Sequence, residues 1–154
     1  MKWGKVDFKQ LKKLQDKMQK LNDMQQEFCE AAAKELAARL LRKVIQRTPK
    51  GQYPEKSGMV GGTLQRGWTG GAKNGASYAQ SLPVKRTGDS FVIDIINPTE
   101  YASYVEYGHR TRGGGGWVQG RFMLTISVDE VQSAAPKILE KKLAKWLGDT
   151  LNGK

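Results

Sequence analysis

The chain has 154 residues, a formal net charge of +11 and a hydrophobic share of 38%. That length fits one domain, residues 1–154, with a single modest core. Its one cysteine, Cys29, excludes an intramolecular disulfide and a cysteine-based metal site and fits a reducing compartment. The opening MKWGKVDFKQ has no secretory apolar region, and no apolar run reaches the length of a membrane span. The charge is uneven: over residues 1–50, 13 Lys/Arg stand against 6 Asp/Glu, an excess of +7. Such an excess suits nucleic acid, an anionic surface or an acidic protein partner, and equally a solvated helix face.

Asp7 to Arg47 reads as one long helix. Phe8, Leu11, Leu14, Met18, Leu21, Met24, Phe28, Ala32, Leu36 and Leu40 recur at three- and four-residue steps. At 1.5 Å per residue, 40 residues span about 60 Å, more than a small domain's width. The helix must therefore break in the polar zone Asn22–Gln26 or project from the body. Pro49 disfavours helical geometry at Thr48 and ends it there. Lys50 to Ala76 reads as a loop region, in which Leu64 and Trp68 of Gly62-Thr-Leu-Gln-Arg-Gly-Trp68 are candidates to anchor on the core.

Tyr78–Arg86 and Ser90–Asn97 are predicted to form a hairpin about Thr87-Gly88-Asp89. In the second strand Phe91, Ile93 and Ile95 alternate with Val92 and Ile96, and only Asp94 breaks the second face, which implies cover on both sides. Pro83 puts the first strand at an edge or bulge. Asn97-Pro98-Thr99-Glu100 then reads as the capped start of a short helix ending at Gly108. A loop follows over His109–Gly120. Arg121 to Leu151 reads as mostly helical, kinked or divided at Pro136.

No catalytic constellation emerges. His109 is the single histidine and has no second ligand for a metal. No Gly-x-Ser-x-Gly elbow occurs, and the carboxylates show no acid–base spacing. The run Gly113–Gly116 lacks the Gly-Lys-Ser/Thr of a phosphate loop. No catalytic residue, cofactor, metal or small-molecule substrate is expected. The lysine-rich start supports at most weak, sequence-independent phosphate contact, since aromatic residues do not interleave with it.

The stretch Tyr101–Leu124 is different in kind. It sets three tyrosines, a glycine run, Trp117 and several arginines between two apolar elements. Arginine and the aromatics are enriched at contact hot spots, and glycines are costly to order. His109, Arg110, Arg112, Trp117, Arg121, Tyr104 and Tyr107 are therefore the candidate interface residues. Trp117 has two readings: a core indole folded back on its own domain, or an anchor for a neighbour.

Tyr101-Ala-Ser-Tyr-Val-Glu-Tyr-Gly108, an arginine- and glycine-containing loop, then Gly120-Arg-Phe-Met-Leu124 together resemble the tail-component family of lambda-like, long-tailed bacteriophages. Gly62-Thr-Leu-Gln-Arg-Gly-Trp68 resembles that family's Gly-x-Leu-x-x-x-Trp element, and Ile96-Asn97-Pro98 also fits. The resemblance covers most of residues 30–150; residues 1–30 and Gly51–Gly61 are less family-like. It implies a non-enzymatic structural protein of a phage or prophage virion, acting in tail completion or head–tail joining at the neck or upper tail and assembled in the host bacterial cytoplasm. A ring, typically sixfold, and contacts with neighbouring neck and tail proteins come with it, and no membrane does. A tail terminator capping the tube is the alternative, and a basic nucleic-acid-binding module is a second one.

The expected fold is α+β, a small antiparallel sheet packed against long N-terminal and C-terminal helices. Residues 1–30 are expected to be a projecting lysine-rich helical extension and residues 109–120 a mobile docking loop.

Overall fold

A computed structural model describes residues 8–151 of the chain. The fold is α+β, as expected, and two long helices frame it. Helix α1 spans Phe8–Arg47 and α5 spans Met123–Leu151. Between them lie α2 (Thr63–Gly67), α3 (Gly75–Ser81), strands β1 (Lys85–Thr87) and β2 (Ser90–Val92), α4 (Ala102–Tyr107), and strands β3 (Gly108–Arg110) and β4 (Trp117–Gln119). The predicted helix start at Asp7 lies outside the described residues.

Helix α1 does not break at Asn22–Gln26. The helix runs through that zone unbroken, and Gln19 donates to Asp23 one turn on, at 3.1 Å, across its start. Every described side chain from Lys12 to Asp23 is exposed, including the apolar Met18 and Leu21. Among the described side chains of the stripe Met24 is the first that is half-buried, and the Phe28 ring lies 5.2 Å from that of Trp146 on α5. From there the two helices run antiparallel. Lys142 pairs with Glu35 at 3.0 Å, Lys43 with Glu130 at 2.7 Å, and Arg47 with both Glu130 and Ser127. These contacts flank Pro136 on both sides, so α5 continues through the proline instead of dividing there. Packing outweighs the lost hydrogen bond and ring clash that a proline brings to a helix.

These ion pairs have a consequence for acid stability. Lys142, then Arg39, hold the Glu35 carboxyl below its ordinary 4.5. Lys43, then Arg47, do the same for Glu130. A carboxylate with a depressed folded-state pKa contributes stability above the unfolded value and loses it as pH falls through the folded value. The melting temperature should therefore stay flat from neutral pH to about 5 and drop below about 4, with Glu130→Gln showing a shallower drop. A drop unchanged in Glu130→Gln would contradict this.

The core sits where α1, α2, α3 and the start of α5 meet. Ala37, Leu41, Val44, Leu64, Trp68, Ala79 and Met123 are its buried members. The Gly62–Trp68 element anchors there as expected. Gln65 Nε2 donates to the carbonyls of Ile45 and Thr48, at 3.2 and 3.0 Å, satisfying acceptors left open at the end of α1. Trp68 Nε1 donates to Thr48 Oγ1 at 2.8 Å, so the buried indole keeps its hydrogen bond. Gly67 is needed for close approach: a Cβ there would lie 2.2 Å from Asn97 Oδ1.

Three local expectations change. The predicted strand from Tyr78 is a helix for its first half, because Asn74 Oδ1 accepts from the amides of Ala76 and Ser77 and nucleates α3. The hairpin shrinks to Lys85–Thr87 against Ser90–Val92, in antiparallel register with Arg86 opposite Phe91. Asn97 does not cap α4; its Oδ1 accepts from Thr99 at 3.1 Å and its Nδ2 donates to the Leu64 carbonyl at 2.8 Å, so the helix starts only at Ala102.

The segment after β2 is also covered on one face only. Phe91, Ile93 and Ile95 are half-buried, with Ile93 and Ile95 against the core, while Val92 and Ile96 are exposed. Among the described residues no second layer lies over that outer face, because the β structure forms two separate two-stranded sheets in place of one.

Candidate functional site

The stretch read as a loop, His109–Gly120, is a β-hairpin. Strand β3 pairs antiparallel with β4, with His109 opposite Val118 and Arg110 opposite Trp117. Side chains directly opposite share a face, so Arg110 and Trp117 stand together on one side and His109 and Val118 on the other.

Glycines fix the hairpin to α4. Gly108 ends α4 at φ +88°, and a Cβ there would lie 2.5 Å from the Val118 carbonyl oxygen. A Cβ on Gly120 would lie 2.4 Å from the Glu106 carbonyl oxygen. The returning chain then satisfies the end of α4: Arg121 N–H donates to Val105 O at 2.7 Å and Phe122 N–H to Glu106 O at 3.0 Å. Phe122 takes the left-handed φ of +48°, which redirects the chain into α5.

Glu106 completes this junction. It is buried, and its carboxylate accepts from the amides of Leu124 and Thr125, both at 2.9 Å, and from the Thr125 hydroxyl at 2.6 Å. These amides belong to the first turn of α5, whose N–H groups have no partner within the helix. A negative charge is also favoured at a helix N-terminus. Sequence reasoning missed this role. A signal existed: Gly120-Arg-Phe122 offers no Ser, Thr, Asp or Asn to cap α5 locally, so its cap had to come from elsewhere.

Above this base the hairpin is solvent-facing. Arg110, Arg112, Trp117 and Arg121 are exposed, as are Tyr104 and Tyr107 on α4. Trp117 is 58% exposed, so its indole is not part of the core of its own chain. His109 is half-buried, its ring 5.8 Å from that of Tyr104. The structure thus brings six of the seven candidate residues onto one hairpin and the short helix beneath it, with Arg121 just beyond β4.

The tip, Arg112 to Gly115, closes through Thr111 N–H to Gly116 O at 2.9 Å and Gly114 N–H to Thr111 O at 3.0 Å. Gly113 and Gly114 both have positive φ, which the turn needs glycine to supply. We expect limited trypsin to cut first after Arg112, at the exposed tip, and later after Arg110, which lies within β3. Prior cleavage in α5 would contradict this.

Among the described residues, no cluster of three or more His, Cys, Asp or Glu is placed to hold a metal ion. No described helix is long and apolar enough to cross a membrane.

A family model described as "Bacteriophage HK97-gp10, putative tail-component" matches residues 12–108. Neither the curated proteins nor the solved structures give a match. The matched segment runs from the exposed part of α1 to the first residue of β3. It therefore takes in residues 12–30 and 51–61, which were expected to be less family-like, and it ends at the first residue of the hairpin, before the Gly120-Arg-Phe-Met-Leu124 segment. More than half of the chain lies inside the match, and the chain belongs to the HK97-gp10-like family of bacteriophage tail components.

Proposed function

We propose that this tail component, part of the virion and in contact with other tail proteins, acts in tail completion or head–tail joining at the phage neck, as a non-enzymatic subunit of a ring, sixfold by analogy with rings of this kind. The observation that carries the reading is the β3–β4 hairpin. Its base is locked to α4 and α5 by glycine contacts and by Glu106, while Trp117, Arg110, Arg112, Tyr104 and Tyr107 face solvent. Such a device presents a rigid base and a prominent aromatic and basic surface, the residue types that dominate binding hot spots. The protein is proposed to have residues 109–120 as its docking element and residues 1–30 as a helical extension of the same domain.

Gold-labelled antibody against the protein, imaged on intact particles, tests the placement. Label at the head–tail junction is expected. Label at the distal tail tip would contradict it.

The exposed Lys12, Lys13 and Lys20 of α1 give the chain a weak affinity for DNA in this reading. Retention on duplex DNA should be measurable at low salt, fall steeply as salt rises and show no sequence preference. Tight, sequence-selective binding at physiological salt would instead favour the nucleic-acid-binding alternative.

A further inference from the structure

We propose that the segment Phe91–Ile96 of one copy receives the β3–β4 hairpin of a second copy as an added strand, and that this repeated contact builds the ring. The inference rests on the ring-forming reading above and names the two surfaces that meet.

The receiving surface is an unfinished sheet edge. Burial alternates without interruption from Phe91 to Glu100, the period-two signature of a strand. Pairing with β1 stops at Val92. Beyond it, among the described residues, no backbone hydrogen bond engages the N–H or C=O groups of Ile93 to Ile96. Val92 and Ile96 point outward, and Ile96 is 67% exposed. An edge of this kind, with open backbone groups and outward apolar side chains, is a template for another strand. Beside it opens an apolar groove of about 240 Å³, lined in part by Leu36, Leu40, Ile93, Ile95 and Val128.

The same chain carries a candidate for that strand. All three residues of β4 are exposed; Val118, on one face of the hairpin, supplies the apolar cover that Val92 and Ile96 lack, and Trp117, on the other, is left to the groove side. Charge selects the pairing. Residues 88–100 hold Asp89, Asp94 and Glu100 and no lysine or arginine, whereas residues 107–128 hold Arg110, Arg112 and Arg121 and no acid. All six are exposed. On the β1 side Lys85 and Asp94 engage each other at 2.7 Å and Arg86 lies over the Phe91 ring, which leaves Asp89 and Glu100 as the acids that meet the arginines. Opposite potentials on two different faces of one chain favour a heterologous contact, which closes into a ring when its rotation fits.

Cross-linking tests this directly. In a Cys29→Ala background, Ile96→Cys and Val118→Cys place thiols at exposed sites on the two surfaces. Phage lacking the protein is complemented with this variant, and purified particles are treated with a short bismaleimide. A ladder of covalent multimers ending at the ring size is expected on a denaturing gel. Each single-cysteine variant should stay monomeric, and particles made with both single variants together should give dimers only. Infectious particles whose double-cysteine protein stays monomeric would overturn the edge contact while leaving the tail role intact. Absence of the unsubstituted protein from purified particles would overturn the tail reading itself. A second variant, Arg110→Glu with Arg112→Glu, should lower titre at least about tenfold with unchanged monomer melting, and Asp89→Lys with Glu100→Lys should restore part of the loss. Full titre in the charge-reversed variant would also overturn the proposal.

Discussion

Replacing Glu106 with alanine is expected to cost about 2–4 kcal/mol of stability, more than any exposed substitution in this chain. The carboxylate is buried and accepts three hydrogen bonds from the first turn of α5. Alanine leaves two helix-terminal amides without a partner and removes a charge that complements the helix dipole. In a domain of this size the melting temperature should fall by roughly 5–15 °C. Glu106→Gln, which keeps the shape and one acceptor but not the charge, should lose about half as much. Glu140→Ala, on the exposed side of α5, is the control and should move little. A Glu106→Ala protein that melts within about a degree of the parent would show that the junction is held by packing alone.

Trp117→Ala should have the opposite profile. The indole is 58% exposed, so the isolated protein should melt almost unchanged. Truncating an aromatic anchor at an interface costs roughly 2–4 kcal/mol, which is about 30- to 1,000-fold in the affinity of each contact. In an infected cell the variant should yield filled heads and separate tails that do not join stably. A normal melting temperature with full titre would remove the hairpin from the docking role. A large fall in melting temperature would mean that the indole stabilises its own chain.

Much of this architecture was legible from pattern. The period of apolar residues gave both long helices, because 3.6-residue spacing survives any tertiary context. Leu64 and Trp68 were legible as anchors because they are large apolar residues in an otherwise polar loop. Short elements were not. Asn74 turned a strand-like stretch into α3 through two side-chain hydrogen bonds, a local competition that alternation alone does not reveal. Pro136 looked like a break because propensity is local, whereas the ion pairs that hold α5 across it come from α1, distant in sequence. The candidate residues were found through their types, yet the reason they stand together was hidden. It lies in Gly108, Gly120 and Glu106, whose roles depend on backbone approach and on a helix start 18 residues away.

The central claim is that this tail component completes the tail for joining to the head. Electron microscopy of particles made without the protein tests it most directly. The account predicts filled heads beside unattached tails of normal length, with infectivity restored by supplying the protein in trans. Tails of uncontrolled length would assign the tube-capping role instead, and intact, infectious virions would contradict the account.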